Sequence, residues 1–321
     1  METNLPRNLG LELVRATEIA ALRAGRWMGL GEPEKADLDA TKAMFEVLDS
    51  IEIRGDVVIG EEMKFSKDIV VRTHQQIGAG SDLEVDLLLD PIDGRTQLAN
   101  GFPGVISAAA VAPHGSIWRA PGAIYLEKII VGADVAPYLV PECMDAPAAW
   151  TLALVARVKG VPVKDLTVFA LDRPRHKDLI NEIRATGAHI MLRPDGDIGG
   201  ALMVCTPRSG VDLLMGTGGI MEGLLGACAI KAFGGGMFGR LDPQSDEEME
   251  LVRSNGTDTY LVLSVDDLVI SNQVFFATTG ITDGPLLKGV VYHGNLAETD
   301  SLILRSETKT RRRIIAEHLL E

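Results

Sequence analysis

A mixed α/β architecture, α/β or α+β with layered sheets, is predicted by three features of the sequence. Aliphatic strand-like runs and helix-period segments intermix from one end to the other. Several of the runs end on acids. The 321 residues suffice for one large domain or two ordinary ones, with no internal repeat and no low-complexity tract.

Taken in order, helical periodicity runs from Leu11 to Met28 and stops at Gly29 and Gly31. A second helix is expected from Asp37 to Leu48, with Asp37, Thr41, Met44 and Leu48 on one face. Strand-like runs follow at 56–60, 85–90 and 105–113. The runs at 166–172 and 189–195 end on acids, with a helical pattern at 175–187 between them. "ALMVCTP" and "VDLLMG" come next with the strand-like runs, then a helix from Met221 to Phe233. "TYLVLS" and "QVFFATTG" close the set, and Arg311–Arg313 read as a solvated basic tail. The Pro- and Ala-rich stretch at 136–150 is the candidate boundary, giving units of 1–140 and 141–321.

Composition narrows the function. A hydrophobic content of 46% and a charged content of 24% are those of a soluble globular chain. The net charge of −14 argues against a nucleic-acid partner, while local cations can still hold an anionic substrate. Cys143, Cys205 and Cys228 form no CxxC pair and read as free thiols in a reducing compartment. No signal peptide and no membrane span is read, so a cytoplasmic location is expected.

The chemistry concentrates in acids. In "VDLLLDPIDG" a strand ends on Asp90, turns at Pro91 and presents Asp93 before Gly94. Asp, Pro and Gly also make an ordinary turn, and spacing alone leaves both readings open. Repetition favours a site: "VVIGEE" runs into Glu61 and Glu62, and "GEPEKAD" places Asp37 at a helix start. Carboxylates from separate strand ends suit a hard cation such as Mg²⁺. The histidines show no zinc spacing. "VDLLMGTGGIMEG" lacks a dinucleotide fingerprint, since Met221 stands where a third glycine is needed. Glu222 falls in a first helical turn, where an acid also complements the dipole. Arg173 and Arg175 can fork onto a phosphate or pair with acids. Asp195 and Asp197 read as a turn or a sugar clamp.

Together, "RATEIAAL", "VVIGE", "DPIDG", "YLEKIIVG", "DRPRHKDLINEIRATGA", "PDGD", "GTGGIMEG", "ATTGIT" and "TKTRRRI" form an ordered series over nearly the whole chain. It resembles the class II fructose-1,6-bisphosphatases, including the bifunctional fructose/sedoheptulose bisphosphatases, of the lithium-sensitive sugar-phosphatase superfamily. The resemblance implies a layered αβαβα fold of two mixed sheets between helices, assembled as a homodimer or homotetramer. It implies hydrolysis of the 1-phosphate of fructose 1,6-bisphosphate, with sedoheptulose 1,7-bisphosphate as a further substrate, in gluconeogenesis or Calvin-cycle type carbon metabolism. Asp37, Glu61, Asp90, Asp93 and Glu222 match Mg²⁺ or Mn²⁺ ligands. Tyr125, Arg173, Arg175, Asp195, Asp197 and Gly219 match sugar-phosphate contacts, and Gly94 begins a phosphate-receiving helix start.

The chain departs from that pattern at sensitive places. The "IGEG" block and the acidic segment after it read "IGEEMKFSKDIV", with Met63 in place of an acid. The Thr that follows the turn glycine is displaced by Arg95 to position 96, so Arg95 and Thr96 join Asp90 and Asp93 as the expected catalytic set. The late "DGD" reads "GGGMF", and the segment after Arg240 is short. A catalytically impaired relative that binds sugar phosphate for regulation or assembly is the alternative expectation.

Overall fold

The apolar stripe of the first segment folds as α1 (Leu9–Ala24), which runs on into a 3₁₀ turn at Gly25–Trp27. The computed structural model describes residues 5–60 and 71–320. Glu61 and the altered Glu62–Asp68 loop lie outside the described residues. The second helix, α2, spans Pro33–Leu48, so Asp37 stands in its second turn and not at its start. Pro33 explains the earlier beginning: its ring presets a helical φ, and the first helical position needs no N–H donor. Glu34 adds an acid to the first turn, where the dipole favours it.

Next come β1 (Arg54–Val57), β2 (Gln76–Ile77), β3 (Glu84–Asp93), α3 (Arg95–Ala99) and β4 (Ile106–Pro113). The chain continues through β5 (Tyr125–Val131), α4 (Ala148–Lys159), β6 (Thr167–Leu171), α5 (Lys177–Ala185), β7 (His189–Arg193) and α6 (Asp197–Cys205). Then follow β8 (Leu213–Gly219), α7 (Ile220–Phe233), β9 (Gly236–Leu241), α8 (Asp246–Ser254), β10 (Leu263–Ser264) and α9 (Val265–Leu268). The last strands are β11 (Phe275–Gly280), β12 (Val291–His293), β13 (Leu296–Arg305) and β14 (Thr310–Leu319).

These elements form two compact units, residues 1–119 with 270–321, and residues 120–269. They differ from the expected 1–140 and 141–321, because the C-terminal strands return to the first sheet. β11 pairs antiparallel with β4, Thr278 opposite Ala108, and β13 pairs with β11. The stretch at 136–150 forms two 3₁₀ turns and the entry to α4, all inside the second unit.

In the first unit the sheet order is β12-β13-β11-β4-β3-β1-β2, with β14 added on β13. β1 and β3 run parallel and the other pairs antiparallel, so the sheet is mixed. Val85, Leu87 and Leu89 of β3 join Ala109, Val111, Phe275 and Ala277 in one core with Leu13, Ala20, Met44 and Leu48 of α1 and α2. A strand alternates faces with period two, which puts Asp86, Leu88 and Asp90 on the other side.

The second unit has a mixed sheet of order β10-β9-β5-β8-β6-β7, parallel where β6 meets β7 and β8. Ile129, Val131, Leu152, Val155, Val168, Ile183, Leu213 and Met215 form its core.

Several expectations need correcting. "ALMVCTP" is not a strand: its first five residues complete α6, buried on all sides but its end. Of "TYLVLS" only Leu263–Ser264 are strand. The basic tail is part of β14, a ten-residue strand, although Arg311–Arg313 are indeed exposed on it.

Candidate active site

The run that ends on Asp90 does not stop there. β3 continues to Asp93, with Asp90 opposite Ala108 and Asp93 opposite Ile106 on β4. Three steps on β3 are matched by two on β4, which is a β-bulge. Residues three apart in a regular strand face opposite sides, and the extra residue returns Asp93 to the face of Asp90. Pro91 occupies the bulge, where a strand tolerates a missing N–H. The Ile92 N–H donates to Asp90 Oδ1 at 3.1 Å and fixes that carboxylate. Asp90 and Asp93 are 3% and 4% exposed. Gly94, at φ 109°, then turns the chain into α3 with a backbone that side-chain-bearing residues rarely adopt.

Arg95 opens α3, and its Nε lies 3.1 Å from Asp37 Oδ1, both side chains mostly buried. The α2 acid therefore meets the residue two past Asp93. Thr96, beside it, is exposed. The Gly29 and Gly31 N–H groups donate to Leu98 O at 2.9 Å and Ala99 O at 3.1 Å, fastening α3 to the end of the first helical hairpin. Asp90 and Asp93 put two buried carboxylates on one face of β3, oxygen donors of the kind that suit a divalent cation. Arg95 supplies one competing positive charge.

A second acidic group, not anticipated from the sequence, surrounds the start of β3. Ligand atoms of Asp56, Asp86 and His114 all lie within 4.8 Å of one another, an arrangement able to hold a cation. Arg119 already reaches both acids, Nη1 to Asp56 at 2.8 Å and Nη2 to Asp86 at 2.6 Å. The Ile117 N–H donates to the second Asp86 oxygen. The signal was available, since Asp86 shares the strand face of Asp90 by parity.

In the second unit, Tyr125 begins β5 opposite Gly219, the residue before α7. Arg175 is exposed; it donates through Nε and Nη2 to Thr217 O at 3.1 and 2.9 Å, with its guanidinium 4.9 Å from the Tyr125 ring centre. Arg173, half-buried, precedes the 3₁₀ turn Pro174–His176 that carries Arg175. Glu222 is the third residue of α7 and half-buried. The structure thus brings Tyr125, Arg175 and Gly219 together at the ends of β5 and β8. Asp195 is half-buried in the turn after β7. Asp197 is committed elsewhere: its Oδ2 accepts from Lys128 Nζ at 2.6 Å, with the two side chains 6% and 1% exposed.

The glycines of "GTGG" lie in β8 and make room for these groups. A Cβ on Gly218 would stand 1.6 Å from Asp197 Oδ2, and one on Gly216 would stand 2.9 Å from His176 Nε2. Beyond its two pairs with β6, the edge of β8 is completed by side chains: the Thr217 N–H donates to His176 Nε2 at 2.8 Å. Thr217 Oγ1 donates to Asp242 Oδ2 at 2.6 Å. Sequence reasoning missed Lys128 and His176. Lys128 shares strand parity with Leu126 and Ile130, which marks an inward position.

His176 is held as the neutral ring, with Nε2 accepting and Nδ1 donating to Leu171 O at 2.7 Å. Burial, above all, lowers its pKa from the ordinary 6.5, against an opposing contribution from the Leu171 carbonyl. The unfolded chain therefore binds the proton first as pH falls. The contribution to stability is complete above about pH 6.5 and is lost as pH drops toward the lower folded value. The urea midpoint should fall between pH 7.5 and 5.5, and a His176→Gln variant should show a smaller fall. An identical fall in both proteins would place the effect elsewhere.

Residues 7–318 match the family model of bacterial fructose-1,6-bisphosphatase, glpX-encoded. A class 2 fructose-1,6-bisphosphatase of Haemophilus influenzae is 36% identical over 328 residues, covering 98% of this chain and 97% of that one. Fructose-1,6-bisphosphatase 1 class 2 of Escherichia coli K12 is also 36% identical, with 98% and 96% covered. Among solved structures, the extragenic suppressor protein suhB of Bartonella henselae aligns over 62% of this chain and 74% of its own, at 12% identity and a TM-score of 0.36, too weak to bear on function. With its motifs in order and its length matched from end to end, this chain belongs to the bacterial class 2 fructose-1,6-bisphosphatase family.

Proposed function

We propose that the chain hydrolyses the 1-phosphate of fructose 1,6-bisphosphate to fructose 6-phosphate and inorganic phosphate, with Mg²⁺ or Mn²⁺ held by Asp37, Glu61, Asp90, Asp93 and Glu222. The supporting observation is the bulge in β3, a register break whose effect is to put two buried carboxylates on one face. Such a pair is costly without a compensating cation. When bound, the metal would polarise a phosphoryl oxygen and lower the pKa of water. The chain's own residues bind and orient. Arg173 and Arg175 take the distal phosphate, and Tyr125, Asp195 and the backbone at Gly219 face the sugar. Asp197 acts through Lys128, as a positioning residue beneath β8. Thr96 is the hydroxyl nearest in sequence to the place of the water-orienting group.

Phosphate release with fructose 1,6-bisphosphate and sedoheptulose 1,7-bisphosphate, each with Mg²⁺ and with Mn²⁺, tests the proposal. Release from the first sugar is expected; none with either metal would overturn it. The Arg95–Asp37 contact favours a second reading, a relative that binds sugar phosphate with little turnover. Calorimetric binding without phosphate release would select that one.

Glu222→Gln removes a ligand charge and keeps the side chain's shape at a half-exposed helix position. The metal concentration for half-maximal turnover should rise by at least about tenfold, with the thermal midpoint unchanged. Unaltered metal dependence would leave Glu222 as a helix-start acid. A homodimer or homotetramer is also proposed, supported by Ile315, 62% exposed on the outer strand β14, and is read by light scattering. Three free cysteines support a cytoplasmic location, and no helix among the described residues is long and apolar enough to cross a membrane.

A further inference from the structure

One face of α1 and the turn after it carries Ile19, Leu22, Arg23 and Arg26, spaced at the three- and four-residue intervals that align side chains on a helix. These residues, with Tyr292 of β12 and His318, Leu319 and Leu320 at the end of β14, line a cavity of about 480 Å³ within the first unit. No acid lines it. Among the described residues no carboxylate pairs with either arginine, in a chain where 45 acids outnumber 31 lysines and arginines. The Arg26 guanidinium lies 3.8 Å from the Tyr292 ring centre, which orients it by its flat face. The Tyr292 hydroxyl donates to Leu22 O at 2.7 Å, and burial pushes its pKa up to about 12, so it stays uncharged. His318 is held through Nε2 and Thr299 Oγ1, 2.8 Å apart, and the Leu320 N–H donates to Asn295 O at 2.7 Å. The result is one lining that combines two guanidiniums and an imidazole with the aliphatic carbons of Ile19, Leu22, Leu319 and Leu320.

We propose that this cavity binds a small phosphate-bearing ligand with an apolar or planar body, the phosphate on Arg23 and Arg26 and the body against Ile19, Leu22 and Leu319. Planar forked donors match phosphate oxygens, and the cavity volume falls in the range of small-molecule sites. The Asp90–Asp93 site contributes none of these residues.

The probes are benzylphosphonate, which cannot be hydrolysed, and inorganic phosphate, titrated calorimetrically into the full chain in the presence of a metal chelator. Benzylphosphonate should bind saturably, roughly tenfold tighter than inorganic phosphate if the body meets the apolar wall. Arg23→Ala/Arg26→Ala should weaken it by about a hundredfold, since each charge-assisted contact accounts for roughly tenfold. Arg173→Ala/Arg175→Ala should leave it unchanged. Both arginines of the cavity are exposed, so the fold and the turnover of fructose 1,6-bisphosphate should survive their removal. If the double variant fails to fold, the single Arg23→Gln and Arg26→Gln variants should each bind about tenfold more weakly. Binding that is absent, indifferent to Arg23 and Arg26, or lost with Arg173 and Arg175 overturns the site. Equal affinity for the two probes overturns the apolar half of the ligand.

Discussion

Exchanging two neighbours, Arg95→Thr with Thr96→Arg, is expected to lower the metal concentration needed for half-maximal phosphate release and to raise the rate. The guanidinium of Arg95 lies 3.1 Å from Asp37, the acid proposed above as a metal ligand, and competes with a cation for its charge. Both side chains are about a sixth exposed, at 17% and 18%, so water screens the pair only in part. Removing it should tighten metal binding by about tenfold, the scale of a partly screened ion pair. Arg also has no acceptor and stays protonated, so it cannot take a proton at the position where the family resemblance places a Thr hydroxyl. A positioned proton-transfer group contributes ~10²–10⁴-fold in rate, and the exchanged protein should recover at least the lower part of that range. Calorimetric titration with Mn²⁺ separates the two effects, because it reads affinity without turnover. Equal affinity and equal rate in both proteins would mean that Thr96 already serves and that the Arg95 contact only fastens α3.

Lys128→Met should cost more stability than any surface change in the chain. Its ammonium and the Asp197 carboxylate meet at 2.6 Å with almost no exposure, beneath a strand whose Gly218 leaves no room for a Cβ. Removing one partner strands a buried charge, a loss of about 3–5 kcal/mol. Lys128→Met with Asp197→Leu removes both charges and should regain most of it. Urea unfolding of the two variants and the parent at neutral pH measures this. A loss below about 1 kcal/mol in the single variant would show that water reaches the pair.

Much of the fold around the candidate site was legible because its signals are local. Asp90, Asp93, Gly94 and Glu222 stand where runs of apolar residues end, and the elements around them appear within a few residues of expectation. What stayed hidden depends on pairing. The odd spacing of Asp90 and Asp93 gives no hint that they share a face, since a bulge exists only between two strands. His176 and Arg175 complete the edge of β8 from a distant turn, which no periodicity records. Asp37 is expected at a helix start, but its helix begins at Pro33, a residue more often read as a stop. The return of β11, β13 and β14 to the first sheet is a long-range matter, and so the unit boundaries were misplaced.

That return has a consequence for how the protein is made. The second unit is one unbroken segment, whereas the first needs both ends of the chain, its gap closed where the Ile270 N–H donates to Ser116 O at 2.9 Å. During synthesis β4 emerges with one edge facing no partner until β11, more than 150 residues later, has left the ribosome. Every residue of β4 is buried in the finished sheet, so that waiting edge is apolar and open to wrong pairing. The unit that carries Asp90 and Asp93 is thus begun first and completed last, and the nascent chain's exposure to aggregation is set by the time its middle half takes to be translated.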